Sequence, residues 1–558
     1  ELTGPDHRAR QLTYISHLGR KIVTSTRIEN ATAWTGHRLP DGTVYSADAV
    51  LMVDGRIVAL GETARRLPAD EVIDAGGGFV APAFADGHVH PIFGGLEREF
   101  APVRDHATPQ DIAAAVGAWA REHPEMEWVR GEGFDHTLAP EGIFHASWLD
   151  AAVPDRPVVL RATDYHTVWV NSEALRRVGY GQGVAQPHDG EIVLGSDGMP
   201  TGTLREWGAW RPVYNLLPTP PASMVLSAVD FAMSGFASTG ITWVQDAWVE
   251  PGDVDTWLNA SAQDILHTDI DLALWADPNS WRDQLSQFAA ARERVERDGG
   301  PSVTSHTIKF FADGVIESAT SAMLEPFCDC PHWKGMPNWE PGEMAEAVTA
   351  IDAMGFTAHI HAIGDAGVRM ALDSMEHAAR VNPPRDRRWI IVHTQLVDPP
   401  DLPRFAELGV IANFEPYWSK YDSWQSELTA PRLGPERTHR QFQTATLANM
   451  GARISFGSDW PVTTFAPLEG IQVAVTRQMD PDGPPWMPEE RISVDDALAA
   501  YTLGVAFQSG RDDAGILRPG ARADLVWIDA DPRSVDPMTI GAIPVRGTWR
   551  RGVRTFGT

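Results

Sequence analysis

The strongest constraint on how this chain can fold is a set of metal-binding types of side chain. Each stands at the C-terminal end of a separate short apolar, β-branched run. His88 and His90 close Ala83-Phe84-Ala85-Asp86-Gly87-His88-Val89-His90, and Lys309 lies in Thr307-Ile308-Lys309-Phe310-Phe311. His361 follows His359-Ile360, His393 ends Ile390-Ile391-Val392-His393, and Asp459 follows Ile454-Ser455-Phe456-Gly457-Ser458. A (β/α)8 TIM barrel gathers the C-terminal ends of its strands on one face and keeps its chemistry there. The alternation of apolar runs with helical stretches supports the same α/β class. Eight strands are expected, centred on residues 80–88, 241–246, 270–275, 306–312, 355–361, 389–393, 409–414 and 453–458. Residues 364–380 exemplify the intervening helices, with Val368, Leu372, Met375 and Ala379 on one face.

Side chains two residues apart in a strand share a face, so one metal can take both His88 and His90. Neutral imidazole suits zinc and other first-row metals. Any one of these histidines alone would read as a core residue. Histidines at strands 1, 5 and 6 with an aspartate at strand 8 are hard to explain by packing. Asp459 can bind metal and also move a proton. Its structural alternative is a turn former before Pro461. His359 shares the face of His361 and reads as a core histidine beneath the site. Lys309 among cations must either lose its charge on burial or react with carbon dioxide to form an anionic carbamate that can bridge two metals. The other possibility is an ion pair with Asp313 or Glu317 outside the metal shell.

Length and charge narrow the partners. The 558 residues allow one barrel plus accessory domains. A balance of 46 Lys and Arg against 75 Asp and Glu, net −29, disfavours nucleic acid and anionic membrane as partners. A small-molecule substrate is expected, and a homodimer is compatible with the chain. The two cysteines, Cys328 and Cys330, exclude a disulfide framework. No stretch has the apolar length of a membrane span, and the polar start lacks a signal-peptide core. A cytoplasmic location is therefore the default expectation.

Residues 21–82 and 513–558 are rich in strand and turn signals, including Asp54-Gly55 between two apolar runs. Their pairing into one small β-sandwich is expected, with residues 1–20 as an extension and 83–512 as the barrel domain. The first barrel strand is too far from the second for one βα unit. Residues 97–225 are therefore expected as an α/β insertion at the catalytic mouth.

With these motifs in place, the chain resembles the amidohydrolase superfamily, in particular its YtcJ-like branch, from about residue 25 to the end. Tyr165-His166-Thr167-Val168-Trp169-Val170-Asn171-Ser172, Thr201-Gly202-Thr203-Leu204-Arg205-Glu206 and Leu517-Arg518-Pro519-Gly520 also resemble segments of that branch. The resemblance implies a barrel with a β-sandwich built from both termini. It implies that His88, His90 and Asp459 bind one divalent metal and that His361 and His393 bind a second. Lys309, if carbamylated, would bridge them. Zinc is the expected metal, at one or two ions per chain. The branch includes N-substituted formamide deformylases.

The implied activity is hydrolysis of a non-peptide C–N bond in a small, N-substituted amide such as a formamide. Metal-activated hydroxide would attack, with Asp459 as general base. His166 would assist the oxyanion, and Trp169, Trp207, Trp210, Trp418 and Trp460 are candidate substrate contacts. A metal-dependent deaminase and an ester or lactone hydrolase of the same superfamily are the alternatives. The stretch after His361, Ala362-Ile363-Gly364-Asp365, lacks the glutamate that such deaminases commonly use. A catalytically dead metal-binding scaffold would lack a ligand or the aspartate, and neither is missing.

Overall fold

The computed structural model describes residues 25–557. The extension expected over residues 1–20 lies outside them. Eight parallel strands form the central sheet. They are β1 (Phe84–Val89), β2 (Ile241–Val249), β3 (Asp269–Trp275), β4 (Val303–Phe311), β5 (Thr357–Ala362), β6 (Ile390–His393), β7 (Ile411–Phe414) and β8 (Arg453–Phe456). Each pairs in parallel with its neighbours in chain order. All eight overlap the runs identified in the sequence, although the first, expected over 80–88, divides into Phe79–Pro82 of the terminal sheet and Phe84–Val89 of the barrel. The helix at Asp365–Val381 buries Val368, Ala371, Leu372, Met375 and Ala378 against the barrel, a spacing of three and four that makes one continuous stripe.

The barrel closes just past β8, where the chain crosses β1. Asp459 N–H donates to the His88 carbonyl (2.8 Å), and His90 N–H donates to the Trp460 carbonyl (2.7 Å). Glycines on both sides permit this approach. A Cβ on Gly457 would fall 2.8 Å from His88 Cβ and 2.9 Å from its backbone nitrogen. A Cβ on Gly87 would fall 2.9 Å from the Phe456 carbonyl. No other residue type fits without moving the histidine strand.

The strands of the two terminal segments, expected to pair as a small β-sandwich, lie in one eight-stranded sheet. Phe79–Pro82 pairs antiparallel with Leu525–Ile528 and parallel with Ser25–Arg38. The Asp54-Gly55 hairpin joins Val44–Val53 to Arg56–Leu60, both turn residues having positive φ (49° and 74°). Because Phe79–Pro82 runs directly into β1, this sheet anchors the strand that carries His88.

Between β1 and β2 in sequence lies a third sheet, of six strands. It includes Val129–Phe134, Val158–Ala162, Thr167–Val170 and Pro200–Arg205. It has its own core around Phe134, Phe144, Leu149, Leu160 and Trp169. Its turns at Tyr165-His166 and Glu206-Trp207 reach the barrel mouth.

Gly457→Ala should lower stability by about 1–3 kcal/mol, the usual cost of forcing an extra methyl into a packed position, and should displace His88. Gly181→Ala, with open space around the added methyl, should change stability by less than about 0.5 kcal/mol. Thermal melts with metal content read in parallel check both. An unchanged melt for Gly457→Ala would mean the seam has slack.

Candidate metal centre

The strand ladder sets the layers of the site. Lys309 sits beside His359, and Phe311 beside His361, in the β4–β5 pairing. His393 is in register with Ala362. The alternation expected of a strand holds in β1, so His88 and His90 both project into the barrel mouth.

Asp459 draws the first three donors together. Its Oδ1 lies 3.0 Å from His90 Nε2 and 3.3 Å from His88 Nε2. These three form the one group among the described residues in which three His, Cys, Asp or Glu donors converge. Two ligand atoms at ~2.0–2.1 Å from a tetrahedral zinc are ~3.3 Å apart, so the spacing suits a divalent metal. Asp459 Oδ1 is buried without a hydrogen-bond partner. That is costly unless a cation or water satisfies it. The donor set therefore fits a metal ion.

His361 and His393 stand next to this group, their ring centroids 4.6 Å apart, and the His88 and His393 rings are 4.9 Å apart. His361 Nε2 donates to the Gly314 carbonyl at 3.1 Å. Burial, reinforced by neighbouring cations, holds His88, His359 and His361 well below the ordinary imidazole range and His393 down to about 3. Burial also lowers His90. Uncharged rings are the form that donates a lone pair to a metal. Burial works against an ionised Asp459, but His90, His393 and Lys309 outweigh it and keep the carboxyl below its usual range.

Lys309 is fully buried and its Nζ has no hydrogen-bond partner. Burial lowers its pKa to about 7, against the pull of Asp459 and Glu415. The ion pair with Asp313 or Glu317 is not formed. Asp313 instead accepts the backbone N–H of Ala322, Ile363 and Gly364. Glu317 accepts the Thr429 hydroxyl at 2.6 Å.

A layer of buried partners orients the ligand-type side chains. His359 Nε2 lies 2.7 Å from His88 Nδ1, with the rings stacked at 5.0 Å. Glu415 Oε2 accepts from His393 Nδ1 at 2.9 Å. Asp86 Oδ1 accepts the N–H of His88 (3.1 Å) and of Ser458 (3.0 Å), and so ties the two sides of the seam together. Glu206 Oε2 accepts from His166 Nδ1 at 2.9 Å. Asp459, His393 and Glu206 all have positive φ (54°, 72° and 59°), a conformation that non-glycine residues keep only where the surroundings enforce it. Glu415 ends the apolar run of β7 just as His393 ends that of β6, so the rule that found the histidines also points to it. Glu206 ends a strand outside the barrel, where that rule does not operate.

The donors line a narrow cavity of about 50 Å³, walled by Trp207, Trp248, Phe311, Trp418 and Trp424. His166 lines it too, its ring 5.3 Å from that of His361. Of the tryptophans singled out in the sequence, Trp207 and Trp418 reach the cavity. Trp169 does not. It is fully buried in the core of the third sheet, its indole N–H donating to the His145 carbonyl. Trp460 packs on Phe236, Phe465 and Gly94 and is not among the residues lining the cavity. Trp210 stacks against Trp207 from behind.

His359→Asn should weaken metal binding about 10–100-fold, the usual effect of removing the partner of a ligating histidine. A competition titration against a chromophoric chelator reads this directly, and unchanged affinity would make His359 a packing residue only.

The sequence comparisons agree with this geometry. The chain is 29% identical over 535 residues to protein LONG AFTER FAR-RED 3 of Arabidopsis thaliana, covering 91% of this chain and 88% of that protein. It is 27% identical to putative amidohydrolase YtcJ of Bacillus subtilis (90% and 94% covered) and 26% identical to the N-substituted formamide deformylase of Arthrobacter pascens (93% and 96%). An uncharacterized metal-dependent hydrolase from Pyrococcus furiosus shares the fold, with a TM-score of 0.69 and 23% identity over 91% of this chain and all of that one. Among the described residues no helix is long and apolar enough to cross a membrane. Residues 71–556 match the amidohydrolase family, so the chain belongs to that family and is a metal-dependent hydrolase acting on C–N bonds.

Proposed function

We propose that the protein hydrolyses a small N-substituted amide, with a formamide as the first candidate. The observation that carries this is the convergence of His88, His90 and Asp459 at the floor of an aromatic-walled cavity. Similarity to the Arthrobacter deformylase over nearly the whole chain supports the substrate class. In this reading His88, His90 and Asp459 hold one divalent metal, zinc by its donor preference. His361 and His393 hold a second. Lys309, as an uncharged buried amine, would add to the carbon of carbon dioxide, lose one proton and, as an anionic carbamate, could supply a further ligand.

The metal supplies the Lewis acidity that makes water nucleophilic near neutral pH. The residues supply the rest. Asp459 accepts the proton of the attacking water and returns it to the departing amine nitrogen. His166 faces the amide oxygen. Burial opposes its protonation, but Glu206 and Asp164 outweigh burial and raise its pKa to about 9. An imidazolium there donates to the oxygen as negative charge develops on it. Trp207, Trp248 and Phe311 exclude bulk water and contact the substituent.

A one-metal deaminase is the competing reading, because only one three-donor group converges among the described residues. The products separate the two. Metal-loaded protein given a panel of N-alkyl and N-benzyl formamides should release formate and the amine. Release of ammonia from cyclic amidines, with no formate from the panel, would replace the amide reading by the deaminase.

Asp459→Asn should retain most of the metal and lower kcat by about 10²–10⁴, the range of a lost general acid–base group. Activity near that of the parent would remove it as the proton carrier. Lys309→Ala should lose one metal equivalent by elemental analysis and regain part of its activity with added short-chain carboxylate. Unchanged metal content would place Lys309 outside the metal shell.

A further inference from the structure

The cavity at the ligand-type residues is narrow. Its volume of about 50 Å³ lies below the ~300–1,000 Å³ usual for small-molecule sites, so a substituent on the substrate extends beyond it. A second cavity of about 200 Å³ lies immediately behind one wall of the first, and Trp207 and Phe311 line both. The partition is one side chain thick. Phe311 meets His361 (5.2 Å between centroids) and Trp207 (5.5 Å), and Trp207 stacks on Trp275 at 5.0 Å and 12°.

The far end of the second cavity differs from the first in chemistry. Its ionisable groups stand in pairs, with His188 Nδ1 3.5 Å from Asp189 Oδ1. Arg211 lies 3.7 Å from Asp277 and over the Trp275 ring at 4.9 Å. The other Asp277 oxygen accepts Asn279 N–H at 3.0 Å. Amides hold the unused hydrogen-bonding capacity. Asn338 Nδ2 donates to the Asp313 carbonyl at 3.1 Å while its Oδ1 has no partner among the described residues, and the side chains of Asn215 and Asn279 are exposed and unpaired among those residues. A charged ligand would have to break the Arg211–Asp277 pair. A neutral group that both donates and accepts would not.

We propose that the second cavity is a subsite for the substituent of the substrate remote from the scissile bond. It would select a flat linker that passes the Trp207–Phe311 edge shared by the two cavities and ends in an uncharged donor–acceptor group such as a carboxamide. Trp207 then sets substrate length. This rests on the amide-hydrolase reading above.

The test compares 4-(formamidomethyl)benzamide with N-benzylformamide on the metal-loaded protein and on an Asn215→Ala/Asn279→Ala double variant, whose changes lie at exposed side chains. The parent should favour the carboxamide about tenfold in kcat/KM, the effect of one or two net hydrogen bonds. The double variant should lose that preference. Equal kcat/KM for both compounds in the parent, as when the substituent leaves toward Trp418 and Trp424, overturns the subsite. If neither compound is cleaved, the deformylase reading fails separately. Calorimetric Kd values for the same pair then decide the subsite. A roughly tenfold tighter carboxamide in the parent only keeps it, and equal values or no binding at millimolar concentration overturn it.

Discussion

The site depends on the seam where β8 meets β1. Two main-chain hydrogen bonds join the strand end carrying His88 and His90 to the turn carrying Asp459. The Asp86 carboxylate spans the same junction from below by accepting one N–H from each side. The three donors are thus positioned by backbone rather than by side-chain choice. A register slip of one residue at this seam would turn both histidines out of the mouth. The closeness enforced by Gly87 and Gly457 makes such a slip sterically costly. Phe79–Pro82, held between strands from the two ends of the chain, braces β1 on its N-terminal side. Chain ends far apart in sequence therefore contribute to the placement of one histidine.

Burial is the second organising force, and it acts on every titratable group in the same direction, toward the uncharged form. The ligand-type imidazoles become neutral and Lys309 approaches neutrality. Burial likewise raises Asp86 and Asp313 to about 7. Asp459 and His166 are exceptions. His90, His393 and Lys309 hold the Asp459 carboxyl below its usual range, and Glu206 and Asp164 raise His166. The result is an ionised carboxylate beside nitrogen donors in an aromatic-walled pocket. At low dielectric that arrangement has a strong preference for a cation at its centre. The buried partnerless atoms of Lys309 and Asp459 express that preference structurally. The aromatic walls preserve it by keeping the local dielectric low.

The barrel and its ligand-type residues were legible in the sequence because both follow from short-range pattern. An apolar run fixes a strand, the strand fixes the alternation of faces, and the fold brings the strand ends together. That logic placed His88, His90, Lys309, His361, His393 and Asp459 at one mouth without knowledge of any contact. It pointed to Trp169 and Trp460 as substrate contacts, and neither lines the cavity, since an indole's direction outside the barrel depends on which sheet it packs against. It also missed the function of Glu206, whose carboxylate reaches His166 only because the third sheet folds over the barrel. Pairing of the terminal segments was legible from their strand signals, but their union in a single sheet depends on the Phe79–Pro82 ladder, a long-range contact.

This division between local and long-range determinants matches a division of labour. The ligand-type residues lie on barrel strands or just past their C-terminal ends, where geometry is rigid and follows from local pattern. Tyr165, His166, Glu206 and Trp207 arrive from the segment between β1 and β2, a part of the chain the barrel does not need in order to close. Changes there can alter the cavity walls, and the partition at Trp207 in particular, without disturbing the seam that sets the donors. A family built this way can hold its reaction chemistry constant while its substrates diverge. That explains why a chain whose ligand-type residues are so readily placed says much less about the molecule it acts on.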